Sequence, residues 1–66
     1  MVFTKEEILD AFESRANLNR IDIEQVPDEF INHMADGATN VDFKTRELLD
    51  SFIDEAFKIN SEKQKA

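Results

Sequence analysis

The chain has 66 residues, with one glycine, one proline and no cysteine. That length holds a single domain with a stability margin of about 3–5 kcal/mol, and the missing cysteine excludes disulfide staples and thiolate metal sites. Fifteen acids against eight bases leave a net charge of −7, which disfavours direct contact with DNA, RNA or anionic lipid and favours a basic protein partner.

The charge is uneven. Residues 1–57 carry −9 and residues 58–66 carry +2. Six Phe, six Ile, four Leu, three Val and two Met supply a core, and there is no Trp or Tyr. So few Gly and Pro fit an all-α fold better than a turn-rich β fold. The N-terminal MVFTKEEIL lacks the charged-then-apolar pattern of a leader, and no apolar run approaches the ~20 residues that span a bilayer. A complete cytoplasmic protein is the expectation.

The first helix is expected over 5–16. Thr4 and Glu7 have the spacing of a capping box, and Phe3 and Ile8 that of a hydrophobic staple. Its apolar stripe, Ile8, Leu9, Phe12 and Ala16, is narrow enough for one main neighbour. Residues 18–26 alternate like a strand at Arg20-Ile21-Asp22-Ile23-Glu24, but no second run exists to pair with them. Either they form a connector that drops Leu18, Ile21 and Ile23 onto the core, or they pair with a second copy in a homodimer.

A second helix is expected over 27–36. Pro27 suits its first position and Asp28 and Glu29 its first turn; Phe30, Ile31, Met34 and Ala35 form its apolar face. Gly37 stands where a left-handed residue would end it.

The third helix, expected over 42–60, carries the clearest period. Leu48, Leu49, Phe52, Ile53, Ala56, Phe57 and Ile59 fall on one half of it, and charges on the other. Such a wide apolar face predicts a helix wedged between two others, or between its own domain and a partner. Thr39, Asn40 and Asp42 are its cap candidates. Residues 61–66 read as a polar, frayed tail after a domain of residues 1–60. The predicted architecture is a small all-α three-helix domain with Leu9, Phe12, Phe30, Met34, Leu48, Leu49, Phe52, Ile53 and Ala56 inside.

Little chemistry is encoded. His33 is the lone histidine and reads as a surface residue. Set as a calcium loop, residues 32–43 place Met34 and Phe43 at ligand positions, so they are expected to link helices and hold no ion. No hydroxyl sits in a nucleophile elbow. An enzyme, a cofactor or a metal is therefore not expected. Two acid rows remain: Glu6, Asp10 and Glu13 on the first helix, and Glu47, Asp50 and Asp54 on the third. Large apolar groups at helix ends, Phe3, Phe43, Phe57 and Ile59, are in surplus.

The expected function is a protein-binding module: an adapter, inhibitor or accessory subunit of a larger cytoplasmic protein or nucleic-acid enzyme. Its partner surface is expected on the third helix. There Glu47, Asp50 and Asp54 steer a basic partner, and Ile53 and Phe57 anchor it from the edge of the stripe. The alternative is a nucleic-acid mimic that uses both acid rows to occupy a basic groove. A structural homo-oligomer is the third option.

Overall fold

The computed structural model describes residues 1–65, with the side chains of residues 64 and 65 left aside. Three helices form, α1 (Lys5–Leu18), α2 (Asp28–Ala38) and α3 (Arg46–Lys65), with a 3-10 turn at Ile23–Gln25 between the first two. No strand occurs among the described residues. The fold is the all-α three-helix domain that the pattern predicts.

The start of α1 follows its local code. Thr4 Oγ1 accepts from the Glu7 N–H at 3.2 Å, and the Glu7 carboxylate accepts from the Thr4 N–H at 3.0 Å. That backbone donor holds the Glu7 carboxyl below its ordinary pKa. Phe3 and Ile8 both reach the core.

The end of α1 shows what the pattern did not. Ile21 N–H donates to Ala16 O at 2.8 Å and Arg20 N–H to Asn17 O at 3.2 Å. Those two bonds make a Schellman motif, which needs a left-handed residue at its turn. That residue is Arg20, at φ 58°. Gly37, read as the left-handed stop of α2, has no positive φ and lies inside the last turn of the helix. Side chains do the capping there: Thr39 Oγ1 and Asn40 Nδ2 both donate to the Asp36 carbonyl, at 2.6 and 3.3 Å. A Cβ added to Gly37 would meet nothing within 4 Å.

Both positions are therefore suboptimal, in opposite senses. Arg20→Gly removes the Cβ clash of a left-handed residue, and Gly37→Ala restores helix propensity. Each is expected to stabilise the fold by about 0.5–1 kcal/mol, read as a rise of roughly 2–8 °C in Tm by thermal melts. A fall in Tm for Gly37→Ala would return the glycine to a left-handed cap.

Other boundaries moved as well. Pro27 is the N-cap of α2, not its first residue. α3 starts after Thr45, whose hydroxyl accepts from the Leu48 N–H at 3.3 Å, so residues 40–44 form a loop. α3 also continues through residues 61–65, where a frayed tail is expected. Ala66, the end of that tail, lies outside the described residues. The connector is not a strand, and it lays Ile21 and Ile23 against the core and buries Val26. Leu18, expected in the core, is 68% exposed.

The packing reverses the expected hierarchy. α1 contacts α2, α3 and the 3-10 turn, so the wedged helix is α1 and not α3. Its Ile8, Ala11, Phe12 and Ala16 are fully buried. Ala11, absent from the predicted stripe, gives α1 a second close-packing line. Phe12 meets Phe57 edge to face, with centroids 5.5 Å apart at 85°. Phe43 bridges Phe3 and Phe52 at 6.2 and 5.7 Å, which ties the N-terminal segment and the 40–44 loop to α3.

Candidate functional site

α3 presents three kinds of surface, set by its register. Leu49, Ile53, Ala56 and Asn60 follow one line along the helix and are buried. Phe57 borders that line on the side that meets α1. Leu48, Phe52 and Ile59 follow a parallel line about 100° round the helix. Glu47, Asp50 and Asp54 face the opposite way.

The expected partner surface separates on these lines. Ile53 is 0% and Phe57 5% exposed, so both expected anchors are core residues. Nor is the acid row a free row. Arg15 reaches across from α1 and donates to both Asp54 oxygens, through Nε at 3.0 Å and Nη2 at 2.6 Å. Asn19 adds a third bond to Asp54 at 2.9 Å. Asp50 accepts from Arg46 one turn before it, at 3.2 Å. Glu47 alone of the three is exposed without an ion pair among the described residues.

The Arg15 donors, assisted by Asn19, hold the Asp54 carboxyl below its ordinary pKa. A carboxylate that is more acidic folded than unfolded stabilises the fold above its unfolded pKa, about 3.9. That contribution is lost as the pH falls from there through the lower folded value. Both side chains are partly exposed, so the pair is worth about 1 kcal/mol. Asp54→Asn is expected to lower stability by that amount at pH 7. The gap to the unmodified chain should close below about pH 4 in urea titrations at stepped pH. A gap that stays constant into acid would remove the ion pair as its cause.

Part of the apolar surface that faces solvent lies on α3. Leu48, expected in the core, is 48% exposed, and Ile59 is 36% exposed. Phe30, Met34 and Phe52 are only partly buried. Met34 and Phe52, with His33, Asp36, Gly37 and Asn40, line an open cleft of about 440 Å³. The cause is the central position of α1. It fills the space between α2 and α3 from one side only, and the opposite side of that junction stays open. The signal was present in the sequence as an apolar face wider than one neighbour needs. Which residues made up the surplus was not legible, because Leu48 and Ile53 are equally apolar and lie on the same half of the helix. Of the predicted surplus, Ile59 is exposed, whereas Phe3, Phe43 and Phe57 are buried.

Among the described residues no three His, Cys, Asp or Glu side chains gather as a metal site. None of the helices there is long and apolar enough to cross a membrane. Comparison with known proteins finds no matching family model, no matching curated protein and no matching solved structure.

Proposed function

We propose that this chain is a small non-enzymatic protein-binding module, an adapter, inhibitor or accessory subunit, that docks a basic amphipathic helix of its partner in the α2–α3 cleft. The observation that carries this is the exposure of Leu48 and Ile59 on the same line of α3 as Phe52, which lines the cleft with Met34. An apolar trough between two helices suits an incoming helix, whose anchors enter at i, i+4 and i+7. The net charge of −7 supplies the sign of the partner. Charge of that size acts on the encounter rate, and the apolar contacts act on the residence time.

A nucleic-acid mimic is the weaker alternative. It needs charge spread over two rows. Asp54 is matched by Arg15 and Asp50 by Arg46, which leaves Glu6, Asp10 and Glu13 on α1 as the row without ion pairs among the described residues.

The experiment is capture of partners from host lysate at low and high salt, with two variants beside the unmodified chain. Leu48→Lys with Ile59→Lys alters exposed positions and leaves the core intact. It should lose the partner at both salt concentrations. Reversal of Glu6, Asp10 and Glu13 to Lys should retain it at high salt. A partner kept by the first variant and lost by the second would move the function to the acid row of α1.

A further inference from the structure

The other flank of α3 holds a second open groove of about 440 Å³, between the 19–26 connector and the last turns of the helix. Ile21, Val26 and Phe57 form its apolar floor, and Asp22 and Lys58 stand on opposite walls. Asn60 also lines it. Asn60 follows Ile53 by seven residues and Ala56 by four, on the buried line of α3, where an aliphatic side chain would pack. It is only 8% exposed. Its side chain makes no hydrogen bond to another described residue. No buried polar atom among the described residues is sealed off from solvent without a partner, so the Asn60 amide keeps some contact with solvent.

An amide in a core register that bonds to no other described residue forgoes the apolar burial that a leucine would supply there. We propose that Asn60 is a ligand-binding residue. In this reading the groove takes an extended peptide segment of a partner protein, with Asn60 paired to a backbone amide. The chemistry is matched in kind: the asparagine side chain offers one carbonyl acceptor and an NH₂ donor, the same pair that a peptide group presents. Val26 and Phe57 lie beside it for one apolar side chain of the segment. Asp22, Asp54 and Lys58 are the charged groups that line the groove; Asp54 is already paired with Arg15, which leaves one unpaired charge of each sign. Asp22 is engaged only through one oxygen, by the Glu24 N–H at 3.1 Å, and Lys58 has no ion pair among the described residues. Opposed charges select no net sign, so the segment is neutral overall, unlike the basic helix assigned to the α2–α3 cleft. The open shape admits a chain passing through. A second copy of this protein is disfavoured because each copy carries −7. This groove and the cleft lie on different flanks of α3, and each assignment can fail without the other.

The test uses the full chain, isotope-labelled, titrated by NMR with N-acetyl-leucine methylamide and N-acetyl-phenylalanine methylamide up to tens of millimolar. The expected result is saturable shifts of the Asn60 side-chain NH₂ and the Val26 methyls, with the Met34 methyl unmoved. Asn60→Leu should raise Tm and weaken binding at least about tenfold. A lower Tm or failure to fold in Asn60→Leu would make the amide structural and overturn the proposal. So would the absence of saturable shifts, or shifts that survive in Asn60→Leu. A dimer in sedimentation that Asn60→Leu dissolves would assign the groove to a second copy and overturn it equally.

Discussion

Phe12→Ala is expected to unfold the chain. Phe12 is fully buried on the one helix that every other element contacts. Removing a buried ring costs about 3–5 kcal/mol, the transfer energy plus the cavity left behind. A domain of this size has about that much stability in total. Relaxation into the cavity is limited, because Ala11 and Ala16 on either side are themselves fully buried and carry no side chain able to fill it. Phe52→Ala, from a partly buried position at the cleft, should cost only about 1–2 kcal/mol and leave a folded protein. Urea denaturation followed by circular dichroism separates the two. Equal losses would mean that α1 is not the central helix.

Phe57→Ala is expected to cost about 3–4 kcal/mol and to leave most of the chain unfolded at 37 °C. The ring is 5% exposed and packs edge to face on Phe12. Pairs of this geometry add about 0.5–1.5 kcal/mol beyond the area they bury. The two substitutions should therefore be non-additive by about that amount in a double-mutant cycle, best run in the stabilised Gly37→Ala, Arg20→Gly background. This outcome separates two roles for the same residue. As an exposed anchor for a partner, Phe57 would be replaceable without loss of fold. As a core residue, it fails before any partner is met. A Phe57→Ala chain with unchanged Tm would restore it to the partner surface.

These expectations show where local information ended. The capping box at Thr4 and Glu7 and the amphipathic periods of α2 and α3 were legible, because each depends on residues within one or two turns. The same holds for the all-α class, since nothing in the chain offers a partner for the lone alternating run at 20–24. The left-handed residue was misplaced for a physical reason. Glycine is the cheapest occupant of that conformation but not a marker of it. At Arg20 the Schellman bonds to Ala16 and Asn17 outweigh the Cβ clash, while Thr39 and Asn40 cap α2 without help from Gly37.

The candidate sites lay further from reach. Periodicity states how much of a helix is apolar, and α3 has more than its neighbours cover. It does not state which edge of that face the neighbours take. That edge is chosen by where α1 sits, through contacts such as Phe12 on Phe57 and Arg15 on Asp54, which join residues about forty positions apart. Once α1 takes the side of Phe57, the side of Leu48 and Phe52 is left open and Asn60 falls over the connector groove. Local sequence therefore determined the helices and their amphipathic faces. Only the tertiary arrangement decided which apolar and acidic residues remain free to bind, because burial depends on all the elements packed together.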